Sequence, residues 1–69
     1  MKFNVGDIVT TTFYNELKGS YCKVLNVEDF AGDFEIKVLY VSESRFMEYI
    51  GKTFWLREAR FIKVENMVE

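Results

Sequence analysis

Five short stretches of the chain are rich in β-branched and aromatic residues, and several alternate apolar with polar positions. This two-residue period is typical of strands that bury one face of a sheet. Glycine-containing turns separate the first three stretches, so they predict a meander. The predicted strands are Ile8–Tyr14, Ser20–Glu28, Phe34–Val41, Thr53–Arg57 and Phe61–Glu65.

The second predicted strand carries apolar residues on both faces. Tyr21, Leu25 and Val27 occupy one face, and Cys22 and Val24 occupy the other. A strand of this kind is either covered on both sides or contains a β-bulge that switches its register.

The strand rhythm breaks between the third and fourth strands. Phe46, Tyr49 and Ile50 stand at the i, i+3, i+4 spacing of a helix. Ser44 is a candidate N-cap, and Gly51 stands where a left-handed residue would end a helix. The pattern predicts one to two helical turns here. The last two strands are linked by Glu58–Arg60, which predicts a single 3₁₀ turn.

Five short strands in 69 residues are too few for two full sheets, but they can curl into a small barrel that removes exposed sheet edges. The opening Phe3-x-Val5-Gly6-Asp7-x-Val9, a strand entry over Gly19–Val24 and the closing strand–turn–strand resemble SH3-like small barrels. The KOW and Tudor modules and the small x-V-G-D-x-V proteins of phages and their bacterial hosts are the most similar in pattern. The resemblance implies an all-β, five-stranded SH3-like barrel. The length allows one domain, residues 1–69, and the spacing described above predicts the short helical turn between strands 3 and 4. It assigns no functional residue, and the insert over residues 42–51 is longer and more apolar than is usual in such barrels.

Composition narrows the class of protein. The chain is 49% hydrophobic and 17% aromatic, which favours a packed core over disorder. Its formal charge of −2 disfavours a strongly basic nucleic-acid module or a polybasic membrane binder. A single cysteine, no signal peptide and no apolar run near 18 residues predict a cytoplasmic protein with no membrane contact.

The residue inventory disfavours catalysis. The chain has no histidine and one cysteine, so neither an imidazole base nor a structural zinc site is expected. Gly51-Lys52-Thr53 resembles the end of a phosphate-binding loop, but Phe46 stands where that motif needs glycine. Cys22 is interpreted as a small buried hydrophobe, with a reactive thiol as the alternative. We therefore expect no enzyme, no cofactor and no metal.

Charge is unevenly distributed along the chain. Residues 26–36 contain four carboxylates and no basic residue, whereas residues 51–63 contain four basic residues and one acidic residue. Phe30 lies at the tip of the acidic turn Asp29–Asp33, which makes it a candidate contact for a basic partner.

The basic segment also carries the main candidate binding strip. If Phe54, Leu56, Ile62 and Val64 point into the barrel, the strip consists of Trp55, Arg57, Arg60, Phe61 and Lys63. Rings beside cations suit the bases and phosphates of a single strand, or the anchor residues of a protein interface. The alternative is that Trp55 and Phe61 are core residues under the 42–51 insert.

Three functions remain open from the sequence. The leading expectation is a protein-binding accessory factor, of the kind a phage directs at a host protein. The second is a nucleic-acid-binding barrel of KOW or Tudor type. The third is a homo-oligomer joined through Phe46, Tyr49 and Ile50, because small domains often gain burial by association.

Overall fold

The computed structural model describes residues 3–28 and 32–64. These residues form five strands joined by short connections, three of which contain 3₁₀ turns. The strands are β1 (Ile8–Thr11), β2 (Tyr21–Val27), β3 (Asp33–Tyr40), β4 (Thr53–Arg57) and β5 (Phe61–Lys63), and the 3₁₀ turns are Asn15–Leu17, Ser44–Tyr49 and Glu58–Arg60. The predicted bounds of the fourth strand and of the turn after it are confirmed.

All five strands belong to one antiparallel sheet with the order β4-β3-β2-β1-β5. The prediction of a mostly-β chain with a helical turn between strands 3 and 4 is confirmed. Within the described residues no ladder joins β4 to β5, so these two strands are the edges of an open sheet.

The sheet is strongly curled, as a contact between two rings shows. Phe34 on β3 and Phe61 on β5 lie with their ring centroids 5.0 Å apart, edge to face. Two strands separate β3 from β5, so a flat sheet would hold these residues about 14 Å apart at 4.7–4.9 Å per strand. The curl therefore brings the inner faces of distant strands together around one core.

A bulge in β2 explains its apolar residues on both faces. Val24 pairs with Ile36 and Asn26 pairs with Glu35, so Leu25 is an extra residue in the ladder. Val24 lies inside before the bulge, and Val27 packs against the core after it. Of the two alternatives that the sequence leaves open for this strand, the bulge that switches the register is the one that forms.

A second bulge, in β3, corrects the expected side of Tyr40. The alternation over Phe34–Val41 places Tyr40 with the inward residues, but Tyr21 pairs with Tyr40 and Cys22 pairs with Val38, leaving Leu39 extra. Val41 consequently turns into the core, and Tyr40 is exposed on the outer face.

The insert between β3 and β4 folds as the six-residue 3₁₀ turn. Glu43, not Ser44, occupies the position before the turn, and no side chain caps it, so the predicted Ser44 cap is wrong. Gly51 has φ = +90°, as expected for the residue after the turn. Phe46 and Tyr49 stack on each other and pack against the core.

Two polar residues are enclosed in this core, and both are hydrogen-bonded. Thr11 Oγ1 donates to the carbonyl of Arg60 at 2.6 Å, and Ser20 Oγ donates to the carbonyl of Leu17 at 2.6 Å. Because buried hydroxyls are costly when they lack partners, these bonds fix the loop after β1 and the start of β5. The buried apolar residues are Phe3, Val9, Leu17, Cys22, Val24, Phe34, Ile36, Val38, Val41 and Phe61.

Candidate binding surfaces

The edge strand β4 separates its side chains onto two surfaces. Phe54 and Leu56 are half-buried on the inner face, while Trp55 is 53% exposed on the outer face. This division agrees with the facing predicted for the fourth strand.

The backbone N–H and C=O groups of β4 also alternate, pointing at successive residues toward β3 and toward the free edge. Val38 N–H donates to the carbonyl of Lys52, and Glu58 N–H donates to the carbonyl of Gly32. In an antiparallel ladder every second residue bonds to the neighbouring strand, so the intervening N–H and C=O groups point to the other side. The backbone groups of Thr53 and Trp55 accordingly point to the free edge, where no strand of the described residues pairs with them.

A groove with a volume of about 270 Å³ lies on the inner side of β4. Its lining is mainly apolar, with one acidic and one basic side chain. The lining residues are Tyr14, Glu16, Leu17, Tyr49, Lys52, Phe54 and Leu56. Tyr49 and Phe54 meet edge to face at 5.9 Å, which joins the 3₁₀ insert to β4 along this wall.

The sequence does not predict the groove. Tyr14 and Tyr49 come from different loops, 35 positions apart, and only the fold brings them to one opening. The helical spacing of Phe46 and Tyr49 is the one signal that the insert packs against something.

The predicted aromatic–basic strip does not form as a continuous surface. β4 and β5 lie at opposite edges of the sheet order, and the facing predicted for β5 is wrong. Phe61 is 1% exposed and packs against Phe34, whereas Ile62 is 63% exposed. The reason is its register with β1, where Thr11 pairs with Phe61 and both point inward.

The basic members of the strip have separate surroundings. Arg57 Nε lies 3.5 Å from Asp33 Oδ1, and Lys63 Nζ lies 3.7 Å from Asp7 Oδ1. The Arg60 guanidinium stands 4.2 Å from the centre of the Phe13 ring, in a cation–π contact. Only Trp55 and Arg57 share one face. The remaining candidate, Phe30, lies outside the described residues.

Cys22 is fully buried, in agreement with its interpretation as a small hydrophobe. Burial raises the pKa of its thiol, and a contact of 3.7 Å between Sγ and the Ser20 hydroxyl opposes this in part. A thiol in this environment is a poor nucleophile.

Residues 3–28 and 32–64 contain neither a candidate metal site nor a candidate membrane helix. No three His, Cys, Asp or Glu side chains gather in this part of the chain where they could hold a metal ion. No helix among the same residues has the length and apolar character needed to cross a membrane.

Comparison with known proteins adds no family. No protein-family model matches the chain, and neither a curated protein nor a solved structure is detectably similar to it.

Proposed function

We propose that this chain is a non-enzymatic protein-binding module that takes an extended segment of its partner along the free edge of β4. The observation that carries the proposal is the combination of an unpaired strand edge and an apolar groove beside the same strand. Strand addition of this kind uses main-chain hydrogen bonds for affinity and side-chain pockets for specificity.

The edge of β4 lacks the usual protection against strand addition. Natural edge strands are commonly blunted by lysine, proline or bulges. The run from Thr53 to Leu56 contains no charge and no proline, and the pairing of β4 with β3 is regular along its whole length. An exposed tryptophan in the middle of such an edge favours recognition.

An added strand would meet both surfaces of β4 at once. Because its side chains alternate, every second one would lie beside Phe54 and Leu56, at the groove. The others would lie beside Trp55 on the outer face. The groove volume is slightly below the 300–1,000 Å³ of small-molecule sites, which suits one or two apolar side chains.

The expected affinity is modest. Thr53 and Trp55 each offer one N–H and one C=O, and each hydrogen bond contributes about 0.5–1.5 kcal/mol net. Burial of one apolar side chain in the groove adds about 1.5–3 kcal/mol. Set against an association cost of about 4–15 kcal/mol, these terms leave at most about 5 kcal/mol, which corresponds to a dissociation constant of about 0.2 mM or weaker.

The same proposal includes the finer architecture, an SH3-like barrel. Support comes from the curl that brings Phe34 and Phe61 together and from the single 3₁₀ turn that links β4 to β5. The cytoplasmic location and the accessory role on a host protein stay predictions.

The experiment begins with selection of peptides from a displayed random library on the immobilised protein. Affinity of the selected peptides is measured by fluorescence anisotropy, and their site is mapped from amide chemical shifts of ¹⁵N-labelled protein. We expect shifts at Thr53 and Trp55 and around Tyr14 and Tyr49.

Thr53→Pro is the decisive variant. The Thr53 N–H points to the free edge, so proline removes a donor for the added strand and spares the ladder to β3. Binding should be lost in Thr53→Pro and kept in the matched control Thr53→Ala, with similar melting temperatures for both. Selected peptides that bind equally to both variants, or that shift amides only on other strands, would refute the proposal. A dimer of the free protein that dissociates in Thr53→Pro would also refute it, because the occupant of the edge would then be a second copy.

A further inference from the structure

The outer face of β2 and β3 places two lysines directly opposite each other. Lys23 and Lys37 are paired in the register of the two strands, and both are exposed. Side chains in such positions have Cβ atoms about 4.5–5.5 Å apart, and like charges there destabilise the sheet. This pair therefore weakens the fold in the absence of an anion.

No carboxylate of the described residues lies within ion-pair distance of either lysine. The nearest acidic position on the same face of β3 is Glu35, two residues from Lys37. Its Oε1 accepts a hydrogen bond from Asn26 Nδ2 at 2.7 Å, which holds the carboxylate toward β2. The paired ammonium groups are thus available to a bound anion.

Aromatic rings lie on both sides of the lysine pair along the strands. Tyr21 and Tyr40 stack at 5.7 Å on one side, and both are exposed. Trp55, opposite Glu35, lies on the other side. Two residues along a strand span about 7 Å and neighbouring strands lie about 4.8 Å apart. Tyr21 is therefore about 7 Å from Lys23, whereas Trp55, which lies beyond Glu35 and one strand further across, is about 8–9 Å from Lys37 and about 12 Å from Lys23.

We propose that this face, defined by Lys23, Lys37, Tyr21, Tyr40 and Trp55, binds single-stranded nucleic acid. Bases stack on the rings at the two ends, and the phosphates between them meet the lysine pair. The face lies on the opposite side of the sheet from the groove and shares only Trp55 with the strand-addition site. Its lysine pair and tyrosine pair are separate from that site, so the inference goes beyond it.

The charge pattern favours this occupant over an acidic protein segment. Flat exposed rings on either side of a cationic centre match the alternation of base and phosphate in an extended strand. The overall charge of −2 opposes non-specific attraction, so binding must come from this local arrangement.

The test is titration with oligo(dT) and oligo(U) of about 12 nucleotides, within the site sizes of stacking surfaces, at about 50 mM salt. Trp55 is the only tryptophan, so quenching of its fluorescence reports binding at this face, and labelled-oligonucleotide anisotropy reports affinity. In the double variant Lys23→Ala/Lys37→Ala we expect affinity to fall about tenfold or more. Its slope of log affinity against log salt should be shallower by about 1.4, or about 0.7 for each phosphate that no longer meets a lysine.

Matched controls separate this site from general electrostatics. Lys18→Ala/Lys63→Ala makes the same change in net charge at lysines outside the face and should change affinity by less than about threefold. Lys37→Glu places unlike charges opposite each other, so binding should be lost while the melting temperature stays level or rises. Tyr21→Leu/Tyr40→Leu should weaken oligonucleotide binding and leave polyphosphate binding unchanged.

Several results would overturn the inference. One is that neither oligonucleotide binds at low salt, and another is an equal fall in affinity in the two double-lysine variants. Polyphosphate binding as tight as that of the oligonucleotides, at matched charge, would show that the rings play no part. A collapse of the melting transition in Lys37→Glu would show that this variant unfolds. The Lys23→Ala/Lys37→Ala variant, which relieves the repulsion, is then the test, and unchanged oligonucleotide affinity in it would overturn the inference.

Discussion

Replacement of Phe61 tests the curl of the sheet, because its ring joins the inner face of β5 to that of β3. The ring is 1% exposed and contacts both Phe34 and Tyr14. Phe→Ala substitutions in cores cost about 3–5 kcal/mol. A 69-residue domain has a total stability of about 3–10 kcal/mol, at about 0.05–0.15 kcal/mol per residue. Phe61→Ala is therefore expected to unfold much of the population, and a milder variant is needed.

Phe61→Leu removes three side-chain carbons from the same site. At about 0.8 kcal/mol for each buried carbon group, the loss of stability is about 2 kcal/mol. For a domain of this size that corresponds to a fall in melting temperature of about 8–16 °C. The neighbouring Ile62 is 63% exposed, so Ile62→Ala should change stability by less than about 0.5 kcal/mol.

The assay is urea and thermal unfolding followed by far-ultraviolet circular dichroism, with the natural protein and both variants measured in parallel. A larger destabilisation in Ile62→Ala than in Phe61→Leu would show that β5 faces the other way. In that case the Phe34–Phe61 contact, and the curl inferred from it, would be wrong.

Two further predictions concern the loops and the core. Gly19 has φ = +77°, and a Cβ there would lie 3.1 Å from Ser42 Oγ, so Gly19→Ala should cost more than the about 1–2 kcal/mol of a left-handed alanine. Gly51→Ala, where a Cβ meets nothing within 4 Å, is the control for backbone strain alone in the same unfolding assay. Equal destabilisation by the two substitutions would show that the Ser42 side chain moves aside without cost. Because the pKa of Cys22 is raised in the folded state, the stability gained from its neutral thiol is complete below the pKa of the unfolded thiol and is lost as the pH rises through the raised pKa. The urea midpoint should thus decline at alkaline pH in the natural protein and less in Cys22→Ala, and parallel curves would contradict this.

The sequence predicts most of the elements because strand and turn signals are local. The predicted bounds of Thr53–Arg57 and Glu58–Arg60 agree with the structure, and the bulge in β2 is one of the two alternatives that its apolar pattern allows. Left-handed glycines also follow from local signals, as at Gly51.

The sides of two strands could not be predicted in the same way. In β5 and just after it, Phe61, Ile62 and Val64 are all apolar, so alternation does not distinguish inside from outside in so short a strand. The register with β1 decides it, and that is a long-range property. The prediction for Tyr40 fails for a related reason, since the bulge at Leu39 has no signature in the residues themselves.

The candidate surfaces are the least predictable part of the molecule. Trp55 and Arg57 share a face as expected, but the lysine pair and the groove both depend on which strands become neighbours. Lys23 and Lys37 stand in different predicted strands, and only the register shows that they oppose each other.

The pairing of β1 with β5 has a consequence for synthesis in the cell. Thr11 cannot pair with Phe61 until Phe61 has been synthesised. At about 5–20 residues per second a ribosome takes about 3–10 s to make the roughly 50 residues between them. During that interval β2, β3 and β4 are made in turn, but β1 keeps an open edge and Phe34, once made, lacks its partner ring. The nascent chain thus exposes a half-built core for seconds, which is the period in which a chaperone would act on it.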